Sequence, residues 1–277
     1  MIHEIFPHRF NNLYLANKNI GENDFILHYN GDSLLLKTSG DEFDIPQRRD
    51  FLEISDKSDN TFLFTLNDVP CFLIWDNLMA DNPHFAYKEI SFFRTTRQQE
   101  IAWVSIVGFH LMNWYSQNKF CGKCGTKTQH KPDERAIVCP NCKTTVYPKI
   151  SPAVIVVIVC NNKILLARNS NFSGSWYSLI AGYADVGESL EETLVREVKE
   201  EVGLDIKNIR YYKSQPWPPS GSMMIGFVAE ADENQPISID DKEIADAAWF
   251  TRGNLPQHSL NLSIAGEMIE KFERGEL

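Results

Sequence analysis

The chain has 277 residues, enough for one large or two modest domains with a real core. Its hydrophobic share of 43% and charged share of 23% are ordinary for a soluble globular protein. The formal net charge of −10 makes the chain a poor general nucleic-acid binder, since it would repel phosphates, but suits a site that collects divalent cations.

The opening MIHEIFPHRF carries charges of both signs and lacks the apolar stretch of a secretory leader. The longest apolar run, Ala153 to Cys160, is far too short to span a bilayer. The terminal Arg-Gly-Glu-Leu is neither a peroxisomal nor an ER address. A cytoplasmic location without membrane contact is the default expectation.

Residues 1–118 hold short strand-like runs: Phe25-Ile-Leu, Ser33-Leu-Leu-Leu, Thr61-Phe-Leu-Phe-Thr-Leu and Cys71-Phe-Leu-Ile-Trp75. Turn formers such as Asn30-Gly31 and Ser39-Gly40 punctuate them, so a β-rich N-terminal domain is predicted. It ends in a helix over 97–117. There Trp103, Ile106, Val107, His110, Leu111 and Trp114 recur at three- and four-residue steps and make one apolar face. His110 on that face reads as a packed histidine rather than a ligand.

Residues 119–149 carry Cys121-Gly-Lys-Cys124 and Cys139-Pro-Asn-Cys142, fourteen residues apart. Four thiolates at this spacing can close a tetrahedron around structural Zn²⁺, leaving no open position for a catalytic water. Two disulfides or four free thiols are the alternatives. His130 could replace a cysteine, although four already suffice. Cys71 and Cys160 sit in apolar runs and read as inert core residues. Six basic residues (Lys123, Lys127, Lys131, Arg135, Lys143, Lys149) face two acidic ones (Asp133, Glu134) in the module. This is either a patch for polyanions or a solvated face.

Residues 150–277 read as strand, loop, helix, strand and a final helix, beginning with strands at Pro152–Cys160 and Lys163–Arg168. The strongest signal is GYADVGESLEETLVREVKEEVGL, Gly182 to Leu204. Ser189 is a good N-cap with Glu192 as its capping-box partner, and Gly203 is placed to end the helix. Leu190, Leu194 and Val198 step by four as a buried stripe, with Val195 and Val202 beside it. Glu197, Glu200 and Glu201 fall on another face, within an arc of about 100°. Carboxylates so close repel one another, and a hard divalent cation such as Mg²⁺ or Mn²⁺ removes that conflict. Arg196 can pair with Glu192 or Glu200. Beyond the helix, Ser214-Gln-Pro-Trp-Pro-Pro-Ser-Gly-Ser222 reads as a stiff loop presenting an aromatic surface to a base, or as plain loop packing. Glu243, in Asp-Asp-Lys-Glu-Ile, reads by itself as a surface charge.

The run from Gly182 to Leu204 matches the Nudix signature at every fixed position: Gly182, Glu188, Arg196, Glu197, Val198, Glu200, Glu201, Gly203 and Leu204. The cysteine module before it and the Ser-Gln-Pro-Trp-Pro run after it resemble the NADH pyrophosphatase branch of the Nudix hydrolases, well over 97–277 and only in position and size before that. Pro219 and Ser220 depart from the branch's Phe and Pro. The resemblance implies an α+β chain, a Nudix α/β/α sandwich preceded by a Cys₄ zinc ribbon and a β-rich N-terminal domain. It implies zinc on Cys121, Cys124, Cys139 and Cys142. Catalytic Mg²⁺ or Mn²⁺ would sit on Glu197, Glu201, Glu243 and the Ala181 carbonyl, with Glu200 close by. Tyr147 and Tyr183 would flank the nicotinamide. Gln215, Pro216, Trp217, Pro218, Pro219, Ser220, Gly221 and Ser222 would line the pocket, and Ala265 would touch substrate. The implied activity is hydrolysis of NADH or NAD⁺ to a nicotinamide mononucleotide and AMP, by a homodimer with shared sites. Removal of NAD caps from RNA is the alternative substrate, and a non-catalytic nucleotide sensor the alternative of another class.

Overall fold

The computed structural model describes every residue except 17, 41, 56–57, 79–82, 171–175, 240–241 and 260–261. Asp240 and Asp241, which open the Asp-Asp-Lys-Glu-Ile run, lie outside that description. Contacts divide the chain into two compact units. One comprises Met1, Ile150–Trp217 and Gly221–Leu277; the other comprises Ile2–Lys149 and Pro218–Ser220. None of the described helices is long and apolar enough to cross a membrane.

The larger-numbered unit is built on the strand Ser151–Cys160. Its apolar run does not alternate with polar residues, as expected of a strand covered on both faces. Val154, Val156 and Ile158 face Leu194, Val198 and Val202 of the helix Leu190–Val202. Ile155 and Val157 face Ile264, Met268, Ile269 and Phe272 of the helix Ile264–Glu273. Each such side chain, fully buried, stabilises the fold by about 1.5–3 kcal/mol. The result is an α/β/α sandwich, as the resemblance implies.

The central strand pairs parallel with Ser222–Ala231 and antiparallel with Ile180–Tyr183 and Lys163–Asn169. Lys163–Asn169 pairs with Ile244–Thr251, and Ile206–Trp217 forms the opposite edge beside Ser222–Ala231. The stiff loop predicted over 214–222 is therefore mostly strand. Gln215, Pro216 and Trp217 pair with Met224, Met223 and Ser222, and the turn is only Pro218–Ser220 with Gly221. Proline argues against a central strand, but an edge strand tolerates its missing N–H. Three strands follow the carboxylate helix where one was expected.

In the other unit the N-terminal strands form two four-stranded sheets. Strand Phe25–Leu27 runs parallel to Val69–Ile74, and Ser33–Ser39 pairs with Phe85–Glu89. The helix spans Gln99–Gln117 and is buried well beyond its predicted stripe, at Ile101, Ala102, Val104, Ser105, Gly108 and Tyr115 as well. Gly108 permits this: a Cβ there would lie 2.4 Å from the Tyr29 hydroxyl. His110 is satisfied, donating from Nε2 to the Lys149 carbonyl at 2.9 Å.

The carboxylate helix has the predicted ends. Ser189 accepts from the Glu192 N–H, and Glu192 accepts from the Ser189 N–H at 2.8 Å. Gly203 stops the helix at φ +75°. Val195 was expected beside the buried stripe but is 45% exposed; Thr193 is buried instead, its hydroxyl donating to Glu188 and the Ser189 carbonyl. An alanine Cβ at 203 would stand 3.0 Å from Ser238 Cβ and 3.3 Å from its amide nitrogen. Gly203→Ala should therefore lower stability by about 1–2 kcal/mol from the left-handed backbone alone, read as a lower urea midpoint at unchanged slope.

Candidate active site

The four cysteines of the ribbon bring one sulfur each within 4.8 Å of one another. Cys121–Cys142 and Cys124–Cys139 Sγ–Sγ distances are both 3.5 Å. A zinc ion with about 2.3 Å bonds to sulfur requires tetrahedron edges of about 3.8 Å, so the cage fits the ion. The two knuckles fold alike: Cys121 O accepts from Gly125 N, and Cys139 O from Lys143 N, with Gly125 and Lys143 both at positive φ. Thr126, through its hydroxyl and then its backbone, holds the Cys124 thiol down to about 5, and Thr144 lowers Cys142 in the same way. Thiolate character is what zinc requires. His130 is not a ligand here; its ring stacks on Tyr115 at 4.8 Å. Cys71 is buried, which pushes its thiol up, and Cys160 is half-buried.

The glutamates are organised by Arg196. Its Nε and Nη2 grip the two Glu188 oxygens at 2.6 and 2.9 Å, and Nη2 also donates to the Tyr183 carbonyl at 3.1 Å. Nη1 reaches Glu197 at 2.8 Å and Glu200 at 3.0 Å. Glu192, one predicted partner, is engaged at the helix cap instead. The arginine holds Glu188 down to about 2. Glu188 is thus a structural anchor that ties the glycine loop to the helix.

Glu197 behaves in the opposite way. Burial raises its carboxyl, Arg196 pulls it back, and the charges of Glu200 and Glu243 push it up further. Its carboxylate lies directly over Gly182, where a Cβ would stand 2.0 Å from Cδ. That contact explains the glycine. It sits in the strand Ile180–Tyr183, opposite Val154, with Ala181 opposite Ile155. Glu201 is 7% exposed on the same helix. A half-buried carboxylate among like charges is costly unless a cation neutralises it, and oxygen donors suit a hard divalent ion. Among the described residues the four cysteines form the group whose ligand atoms gather closely enough to hold an ion; Glu197, Glu201 and Glu243 do not form a second such group.

The remaining expected residues are distributed unevenly. Tyr183 is 52% exposed on the glycine strand. Pro216 and Trp217 are half-buried. Gln215 was expected to line the pocket but is fully buried: Nε2 donates to the Leu262 carbonyl at 3.0 Å and Oε1 accepts from Ile264 N at 2.6 Å. Its amide joins the edge strand to the start of the last helix. Ser222 is likewise buried, and Ala265 is 5% exposed in the core around the last helix. Pro218, Pro219 and Ser220 sort with the N-terminal unit, their turn packing on helix Gln99–Gln117. Tyr147 lies in that unit too, its hydroxyl donating to Glu134 at 3.0 Å. Sequence reasoning missed that tether, as well as Ser170, whose hydroxyl donates to the Lys242 and Glu243 carbonyls. A lone serine carries no pattern that could have flagged it.

Comparison with known proteins bears on both units. Residues 149–272 match the NUDIX domain model, 116–147 the NADH pyrophosphatase zinc ribbon domain, and 23–114 the NADH pyrophosphatase-like rudimentary NUDIX domain. The chain is 42% identical over 159 residues to a Pseudomonas aeruginosa protein named NAD-capped RNA hydrolase NudC, covering 57% of each. It thus spans little more than half the length of that relative. Proteins of the same name are 37% identical from Stutzerimonas stutzeri over 203 residues, 73% of each chain, and from Pseudomonas fluorescens over 207 residues, 75% of each.

Gly182→Ala isolates the glycine contact. The Glu197 side chain can swing away from the new methyl, so the thermal midpoint should fall by only a few degrees. Calorimetric binding of Mn²⁺ should weaken by about tenfold or more, as when a ligand's support is removed.

Proposed function

The chain belongs to the NADH pyrophosphatase family of Nudix hydrolases, and from that premise we propose that it hydrolyses the diphosphate linkage of NADH or NAD⁺. One observation carries the reading: the Glu197 carboxylate is seated on Gly182, raised by burial, beside the charges of Glu200 and Glu243. Glu197, Glu201, Glu243 and the Ala181 carbonyl hold Mg²⁺ or Mn²⁺. Such an ion neutralises diphosphate charge and lowers the pKa of a bound water. Glu200 or Glu201 takes the proton of the attacking water. One phosphorus–oxygen bond forms and the bond to the bridging oxygen breaks, releasing a nicotinamide mononucleotide and AMP. Tyr183 flanks the nicotinamide. Pro216, Trp217 and Gly221, with Ala265, shape the pocket. Assembly as a cytoplasmic homodimer, with sites completed across the interface, belongs to the same reading.

A second substrate, RNA with a 5′ NAD cap, is favoured by the relatives' name and by the ribbon. Of its six basic residues, Lys131 pairs with Asp133 and Glu134, and Arg135 donates inward to the Leu63 carbonyl. Lys123, Lys127, Lys143 and Lys149 stay exposed. Capped-RNA turnover should fall steeply as salt rises while NADH turnover changes little, because only the RNA body contributes counterion release. Equal salt slopes for both substrates count against RNA.

Glu201→Gln should abolish turnover by orders of magnitude with the fold retained, as read by AMP release and circular dichroism. Near-normal activity removes Glu201 from the metal site. No divalent-dependent turnover of any dinucleotide by the wild-type chain favours a sensor instead.

Because Glu197 is raised, the folded metal-free chain holds its proton more tightly than the unfolded chain does. The stability this gives is complete below the ordinary carboxylate range and is lost as pH rises through the raised value. Mg²⁺ must displace that proton, so its stabilisation of the thermal midpoint should grow with pH and vanish in Glu197→Gln. A gain that is flat in pH would show that Glu197 is not the linked group.

A further inference from the structure

Glu243 differs from the other acidic residues of the site. It is exposed and lies outside the carboxylate helix, just before the strand Ile244–Thr251. A long side chain on an exposed backbone has much freedom to lose on binding. Something must hold the backbone from which it projects. Ile244 does so on one side, 4% exposed in the core shared with the carboxylate helix.

The other hold comes from the strand Lys163–Asn169. Its pairing with Ile244–Thr251 is regular through Arg168↔Asp246 and then shifts, so that Asn169 meets Ile244. This irregularity skips Ala245 and turns the next residue, Ser170, toward the segment before the strand. Ser170 N donates to the Glu243 carbonyl at 2.8 Å. Its hydroxyl donates to the Lys242 carbonyl at 2.8 Å and lies 3.1 Å from the Glu243 carbonyl. One small side chain thus bridges the carbonyls on both sides of the Glu243 Cα.

We propose that Ser170 is a positioning residue of the divalent-metal site: its hydroxyl spans the Lys242 and Glu243 carbonyls and aims the Glu243 carboxylate at the ion shared with Glu197. The inference rests on the reading of Glu243 as a metal ligand. Ser170 touches neither metal nor substrate. It acts only through the backbone that carries Glu243. Outer contacts of this kind set ligand geometry, and their loss typically weakens metal binding by about 10–100-fold.

The test is Mn²⁺ binding to the full zinc-loaded chain, read from the electron paramagnetic resonance signal of free Mn²⁺. Wild type is compared with Ser170→Ala, Ser170→Thr, Glu243→Gln and the Ser170→Ala/Glu243→Gln double variant. Ser170→Ala should weaken binding by about tenfold. Ser170→Thr keeps a hydroxyl and should restore most of it. In the Glu243→Gln background, Ser170→Ala should add nothing, because both changes act through one carboxylate. A purely structural serine would cost the same in both backgrounds, and that result overturns the proposal. So does unchanged affinity in Ser170→Ala. If Glu243→Gln alone leaves Mn²⁺ affinity intact, Glu243 is not a ligand and the proposal fails with it. If the wild-type chain binds no Mn²⁺, the metal-dependent function fails as well.

Discussion

The site depends on one guanidinium held between carboxylates of unlike fate. Arg196 grips Glu188 with two hydrogen bonds and reaches Glu197 and Glu200 with a third nitrogen. A planar fork with five donors can do this; a lysine, with a single point of charge, cannot bind two oxygens in one plane and still reach beyond them. The Glu188 bond fixes the glycine loop to the helix, and the Tyr183 carbonyl adds the strand to the same clamp. Loop, helix and strand are thereby registered around Glu197. Without that clamp, Gly182 would have no reason to meet the Glu197 carboxylate, and the helix would present only a row of mutually repelling acids.

The layers of the sandwich set where this clamp can form. The central strand sends alternate residues to the two helices, so each helix is placed by a different half of one apolar run. Val154 lies opposite Gly182, and the same residue packs in the core with Leu194 and Val198 of the carboxylate helix. Glycine strand and helix therefore share one support. A slip of one residue in that pairing would exchange the two faces and carry Gly182 away from Glu197. The position of the acid is thus fixed by hydrophobic alternation before any charge is considered.

Much of this was legible because it is local. The capping box, the terminating glycine, the spacing of the acids and the paired cysteines are relations within a few residues, and each appears where expected. What was not legible depends on partners distant in sequence. Val195 occupies a plausible stripe position but faces out, because Thr193 fills the buried place with its hydroxyl satisfied by Glu188. Pro216 looked like a loop residue because nothing local reveals that its strand lies at a sheet edge. Gln215 looked like a pocket residue, yet its amide binds backbone groups 47 and 49 positions away. Tyr147 and Ser170 are held or hold in ways that no periodicity encodes.

The division of labour among the acids also accounts for the mixture of firm and costly features. Glu188, with its carboxyl near 2, keeps its charge and its grip at any ordinary pH. Glu197 shares the same arginine but is half-buried among acidic neighbours, so burial makes its charge costly. A stability-optimised protein would neutralise that position or replace it by an apolar residue. Its retention fits the proposed role of this carboxylate as a metal ligand. The strain is local because Glu188, Ser189 and Gly203 secure the helix by contacts that do not involve Glu197. The helix ends are therefore secured without Glu197, whose carboxylate is met by the shared Arg196. The cysteine ribbon is built differently: short paired strands carry knuckles whose four sulfurs converge, an arrangement suited to a structural zinc ion.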